Sequence, residues 1–154
     1  MSLDKAKDYL KKFDLDNKIQ VFDVSSATVE DAAKALNTEG KRIAKSLSFK
    51  TKDKILLIVL AGDAKVSNSK YKALFHEKAH MLSYDEVSEL IGHPVGGVCP
   101  FGINDGVEVY LDESLKRFET VFPACGTTNS AIELTIPELE KTSNYISWID
   151  VSTY

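Results

Sequence analysis

The sequence predicts one α+β domain, with a mixed, strongly curved, barrel-like β-sheet and short peripheral helices. Three observations carry that prediction. Six or seven strand-like segments interleave with four or five short helical ones, without a regular βα alternation, an internal repeat or a linker. Residues 55–60 are apolar at every position and read as a central, buried strand. The chain has 154 residues, 44% of them apolar and 27% charged, so residues 1–154 form one domain with an ordinary globular composition.

Each element follows from a local signal. Leu3, Ala6, Leu10 and Phe13 recur at helical spacing. Residues 18–23 alternate and predict a strand. Ser26 or Thr28 can cap a helix over Val29–Leu36, with Glu30 and Asp31 in its first turn. Residues 41–60 predict two strands joined by the polar turn 51–54. A helix over 67–75 and a short strand over 78–82 follow. Ser83 with Glu86 predicts a capping box for a helix over 84–91. Beyond the loop 92–102 come a strand over 107–111 and a helical turn near 112–116. Strands over 119–124 and 131–134 flank residues 125–130. Thr135, Pro137 and Glu138 start a helix reaching Lys141, and residues 145–151 close the chain as a strand.

Composition excludes several classes. The longest apolar run, 55–61, is far below the roughly 20 residues of a membrane span. The N-terminus lacks the apolar stretch of a signal peptide. Two cysteines and three histidines form neither a disulfide framework nor a zinc-finger spacing. A cytoplasmic protein without membrane contact is expected. The net charge of −4 argues against a generic nucleic-acid binder. It is unevenly spread, however. Residues 41–78 carry ten basic and three acidic side chains, net +7, while residues 79–154 are net −9. That asymmetry marks either a polyanion-facing surface or lysines on ordinary exposed faces.

Two features point to chemistry. Strand parity puts Lys45 on one face with Ile43, Leu47 and Phe49, so its amine either snorkels outward or lines a pocket. The loop 92–102 holds four glycines and two prolines. Such a loop is either a tight connection or a shaped cradle that presents backbone amides to a carbonyl or oxyanion. It matches neither a Walker loop nor a dinucleotide fingerprint. Cys99 and Cys125 are candidate nucleophiles with His76, His80 or His93 as base, Cys99 with His93 for example, and no local signature supports such a pair. His76 and His80 lack a third metal ligand.

At these two features the chain resembles the YbaK/ProX family of aminoacyl-tRNA deacylases, related to the editing domain of bacterial prolyl-tRNA synthetases. Three blocks carry the resemblance, in family order and at family spacing. The first is residues 42–49, with Lys45 followed by Ser46. The second is Gly96-Gly97-Val98-Cys99-Pro100, the family's Gly-x-x-x-Pro loop. The third is residues 124–134, continued by Pro137-Glu138-Leu139. Nearly the whole chain is covered.

The resemblance implies the editing-domain fold and a trans-acting hydrolase. It would cleave the ester between a wrong, small amino acid and the terminal adenosine of a tRNA, with tRNA-Pro as a candidate carrier. No metal or cofactor is implied, and a neighbouring ribose hydroxyl assists. The implied catalytic set is Lys45, Gly96, Gly97 and Pro100. The implied substrate-binding set is Phe22, Thr28, Ser46, His93, Val98, Cys99, Phe101, Gly102, Gly126 and Asn129. The expected partners are the acceptor end of an aminoacyl-tRNA and a synthetase, with the chain a monomer or homodimer. The chain departs from two branches. Where cysteine editors carry a serine and an acid it has Ala124 and Ala131, and where alanine editors carry a histidine it has Asn129. Two other readings compete: a non-catalytic module binding tRNA or a synthetase, and a thiol enzyme using Cys99.

Overall fold

The computed structural model describes residues 2–154. In chain order its elements are α1 (Ser2–Lys11), β1 (Gln20–Val21), α2 (Val29–Leu36), β2 (Ile43–Lys50), β3 (Ile55–Ala61), β4 (Lys65–Val66), α3 (Asn68–Phe75) and α4 (Tyr84–Glu86). They continue with β5 (Val107–Asp112), β6 (Thr120–Pro123), β7 (Ser130–Ala131), β8 (Leu134–Thr135), α5 (Ile136–Ser143), β9 (Ser147–Ile149) and β10 (Ser152–Thr153).

The main sheet runs β8-β6-β2-β3-β5-β9 and curls as a half-barrel, as the sequence predicts. It is mixed. The β2–β3 and β6–β8 pairs are antiparallel, and the β2–β6, β3–β5 and β5–β9 pairs are parallel. Residues 56–61 of β3 are at most 1% exposed, which fits their unbroken apolar run. Each large side chain buried there contributes about 1.5–3 kcal/mol. Phe49, Tyr71 and Phe75 extend this core as a run of tilted ring contacts.

Local chemistry places the helices. Thr28 caps α2 by accepting the Asp31 N–H at 3.0 Å, and Asn37 ends the helix in a left-handed conformation. Ser67 caps α3. Both predicted capping boxes form, Ser83 with Glu86 and Thr135 with Glu138. The helix expected over 84–91 starts as α4 and ends as a π turn, Val87–Ile91. Asn104 takes up its free carbonyls, donating its side-chain amide to Glu89 O at 2.8 Å and its backbone N–H to Ile91 O at 2.9 Å.

Four strand expectations change. Residues 18–23 keep only β1, because a 3-10 turn, Asp16–Lys18, takes the first of them. Residues 78–82 form only a bridge from Met81 to Phe49. The strand expected over 131–134 is split into β7 and β8, which pair with different neighbours. Of the closing strand expected over 145–151 only 147–149 pair, as β9, and β10 follows beyond it at 152–153. There the buried Asp112 carboxylate accepts the Val151 N–H at 3.0 Å and the Ser152 hydroxyl at 2.6 Å, turning the chain toward β4.

β2 and β6 pair only at Ile43–Phe122 and Ala44–Pro123. Pro123 has no N–H to extend the ladder, and from Ala124 the chain turns to bridge Ala131. Residues 45–47 of β2 therefore have no strand partner on that side, and Ser48 O takes up the Leu82 N–H at 3.2 Å. They border a cavity.

Candidate functional site

The cavity has a volume of about 470 Å³, in the range of small-molecule sites. α2, β2, α4, the glycine-proline loop and the turn after β6 wall it in, and its surface is mainly apolar. Lys45 is the one charged residue lining it. Of the two predicted positions for this side chain, the structure shows the pocket. Its Nζ donates to Gly62 O at 3.3 Å and forms no ion pair among the described residues.

The electrostatics keep that amine available. Burial is the main influence on Lys45 and pulls its pKa below 10.5; nearby Asp63 opposes the shift and Lys65 adds to it. Asp63 itself is held by Arg117, whose Nη1 and Nη2 donate to its two carboxylate oxygens at 3.0 and 2.5 Å. Those hydrogen bonds hold the Asp63 carboxyl below its usual range. Arg117 thus takes both oxygens of the Asp63 carboxylate, which acts on Lys45 through its charge alone.

Ser46 lies beside Lys45 on the cavity wall, and its buried Oγ has no hydrogen-bond partner among the described residues. Leaving a buried hydroxyl unpaired costs about 1–3 kcal/mol.

The glycine-proline loop meets the cavity at Val95, Gly96 and Val98. Gly96 has φ +92°, and a Cβ there would lie 3.0 Å from both Ala27 Cβ and Thr128 Cγ2. Glycine thus lets the loop close against the cap of α2. The Gly97 N–H donates to Pro94 O at 3.0 Å, and Gly97 O accepts the Gly126 N–H at 3.0 Å. The amides of Gly96 and Val98 make no hydrogen bond among the described residues. Like the Val95 amide, they are unpartnered donors on a loop that meets the cavity.

Of the residues singled out from the sequence, the structure gathers Lys45, Ser46, Thr28, Gly96 and Val98 around this cavity. The others lie outside its lining. Gly97 and Gly126 hold the two loops together. Pro100 and Gly102 face a second, more polar cleft under α1. Phe22 and Asn129 join β1 to the late turn, with the Phe22 N–H on Asn129 O at 2.8 Å and the Asn129 amide on Phe22 O at 3.1 Å. Phe101 is fully buried. His93 is 1% exposed, with its Nε2 2.6 Å from Phe101 O. Burial pulls its pKa down, so it stays neutral and donates that bond.

Cys99 is fully buried, its thiol pushed up to about 12 by desolvation. Cys125 is raised likewise. Neither offers a thiolate near neutral pH. Among the described residues, no three His, Cys, Asp or Glu side chains come together as a metal site, and no helix is long and apolar enough to cross a membrane.

Sequence reasoning missed much of the apolar wall, including Ala32, Phe122, Met81 and Tyr84. Nothing in a lone sequence separates such residues from ordinary core. Ala124 and Ala131, flagged only as departures from two branches, both line the cavity.

Fold and site together define a small cleft protein whose cavity is lined, among the described residues, by one lysine and a glycine-proline loop with unpartnered amides. The chain belongs to the aminoacyl-tRNA editing domain family, whose profile matches residues 23–142. It is 53% identical over 152 residues to the uncharacterized protein YwhH of Bacillus subtilis, covering 98% of this chain and 97% of that one. It is 34% identical over 90 residues to the proline–tRNA ligase of the same organism, covering 58% of this chain but 16% of the ligase. Its fold superposes with a TM-score of 0.89 on a crystal structure described as a candidate trans-editing enzyme for prolyl-tRNA synthetase. That pair is 27% identical, covering 99% of this chain and 98% of the other.

Proposed function

We propose that this chain is a trans-editing aminoacyl-tRNA deacylase, which hydrolyses the ester of a small, wrongly attached amino acid on tRNA-Pro in the cytoplasm. The observation that carries the reading is Lys45, whose amine has no ion-pair partner among the described residues, lining one apolar cavity with Gly96 and Val98 in a chain of the editing-domain family. Lys45 holds the terminal phosphate or ribose and fixes the ester's position. The Gly96 and Val98 amides hold the ester carbonyl and stabilise the oxyanion that develops on it. Water, oriented by the neighbouring ribose hydroxyl, attacks the carbonyl carbon; its proton passes to the 3′-terminal oxygen, which leaves as a hydroxyl and frees the amino acid. No side-chain nucleophile, metal or cofactor enters the scheme. The cavity is lined by Ala27, Ala32, Ala44, Ala124 and Ala131, whose small side chains leave room for a compact amino acid.

The test is release of amino acid from a panel of mischarged tRNAs. Turnover of at least one small aminoacyl-tRNA is expected. Saturable, salt-sensitive tRNA binding with no turnover anywhere in the panel would instead establish a non-catalytic module, with the net +7 segment as its phosphate-facing surface.

Cys99→Ser is expected to keep kcat/KM within about twofold, because a thiol held near 12 supplies no nucleophile at neutral pH. The same burial predicts that the folded chain resists alkylation at pH 8. A large loss of activity in Cys99→Ser, without a fall in Tm, would restore the thiol mechanism.

A further inference from the structure

Met81, Tyr84 and Val95 are 54%, 73% and 42% exposed, and all three border the cavity. They come from different stretches. Met81 and Tyr84 flank the cap of α4, and Val95 lies in the glycine-proline loop. Folding brings them to one rim. Scattered exposed apolar side chains need no explanation, but a group on the lip of a ligand cavity does.

Tyr84 is the most exposed of the large apolar residues. Among the described residues its ring meets no other ring or cation, and its hydroxyl makes no hydrogen bond. By contrast, the Tyr154 ring carries the Arg117 guanidinium 4.1 Å from its centroid. The backbone under Tyr84 is well held. Ser83 Oγ accepts the Glu86 N–H at 3.3 Å, and Glu86 Oε1 accepts the Ser83 N–H at 2.9 Å. Glu86 Oε2 accepts from Lys50 Nζ at 2.9 Å, which ties the turn to the end of β2. An aromatic ring on a fixed mount loses little freedom when it binds.

We propose that Tyr84, flanked by Met81 and Val95, is a stacking platform for the terminal nucleobase of the RNA whose aminoacyl end enters the cavity. This rests on the deacylase reading and extends it to a part of the ligand that lies outside the cavity. Continuity selects the occupant. The ester must reach Lys45 and Gly96, and the nucleoside that bears it must leave across the rim. Lys45 Nζ reaches toward Gly62, near the start of β2, whereas Met81 bridges Phe49 at its far end. Lys45 and Phe49 are four positions apart along the strand, about 13 Å, a span that fits an aminoacyl ester and its nucleoside end to end. A base offers a flat, uncharged π face, which suits an unpartnered ring. A second copy of this chain is the competing occupant, but three side chains fall short of the roughly 800 Å² that each partner buries in a stable interface.

The probe is a short RNA duplex ending in the single-stranded CCA common to tRNAs, with 2-aminopurine as its last base. Binding to the wild-type chain is expected to quench the fluorophore. Tyr84→Ala is expected to abolish quenching and raise Kd roughly 5- to 150-fold, the loss of one base–aromatic stack. Tyr84→Phe is expected to behave as wild type. Tyr84→Leu, apolar but without a π face, is expected to resemble Tyr84→Ala. An unchanged Tm in each variant shows that folding is intact. Absence of quenching by wild type, or equal quenching by Tyr84→Ala, overturns the platform. Wild-type hydrolysis of an aminoacyl-tRNA with unchanged KM in Tyr84→Ala also overturns it and leaves the deacylase reading standing. Tyr84-dependent quenching without hydrolysis supports the platform and removes the deacylase. A dimer lost in Tyr84→Ala, with quenching indifferent to Tyr84, assigns the rim to a second copy and overturns the proposal.

Discussion

Lys45→Ala is expected to lower kcat/KM for amino-acid release by about 100-fold, the scale of misplacing the reacting ester by 1 Å once its anchoring ammonium is gone. The fold is expected to survive. The lost internal contact is one hydrogen bond to Gly62 O at 3.3 Å, and the amine it removes is partly desolvated and unpaired. Removing such a charge relieves a burial cost, so Tm is expected to hold or rise slightly. That pairing of outcomes is diagnostic, because a structural lysine would lower activity and Tm together. Lys45→Arg is expected to rescue only in part, since a planar fork does not reproduce a compact ammonium in the same space. Full activity in Lys45→Ala would reject Lys45 as a catalytic residue.

The same burial sets a pH signature. Activity needs the ammonium, so it is expected to fall as pH rises through a value below 10.5, after the uncatalysed rate is subtracted. Stability moves the other way. Between the lowered folded value and 10.5 the unfolded chain keeps a proton that the folded chain has released. The contribution of Lys45 to stability therefore rises with pH across that window. Denaturant titrations at several alkaline pH values should show this slope in wild type and a flatter one in Lys45→Ala.

The elements that were legible in the sequence carry strong local signals. Residues 29–36 form the helix within the bounds its cap and terminator predict. Both capping boxes form, and residues 55–60 are buried because an all-apolar strand has no face to offer water. The two-residue strands β4 and β10 have no periodicity to read. The break between β9 and β10 depends on Asp112, about 40 residues away in sequence, reaching Val151 and Ser152. The site divides similarly. Lys45 stood out because a lysine among Ile43, Leu47 and Phe49 breaks the pattern of a buried face. Tyr84 and Phe122 did not, since an apolar residue facing a cavity reads like one in the core. His93 and Cys99 drew attention by residue type, yet they serve the packing behind the loop. The sequence showed that the loop was shaped. Only the packed structure shows which of its amides remain free.

Gly97→Ala is expected to lower both stability and activity. A Cβ at Gly97 would lie 2.6 Å from Gly126 C and Thr127 N and 2.8 Å from Thr127 Cα. All three atoms are backbone, so no side chain can swing aside. The loops must separate, which strains the Gly126 N–H to Gly97 O bond of 3.0 Å. Overpacking costs about 1–3 kcal/mol and the lost hydrogen bond about 1 more. At about 2–4 °C per kcal/mol, Tm is expected to fall by roughly 5–15 °C. Function is expected to fall further than stability alone requires. These loops carry Gly96 and Val98 on one side and Ala124, Ser130 and Ala131 on the other, all lining the cavity. Opening the contact moves the free amides away from Lys45, and a 1 Å misplacement costs about 100-fold in rate. Assay at a temperature where the variant is fully folded separates the two effects. A variant with a lowered Tm but wild-type kcat/KM there would show that the loop contact supports the fold without setting the site. A deficit that persists in the folded protein would show that Gly97 positions the neighbouring amides, although its own N–H is already given to Pro94.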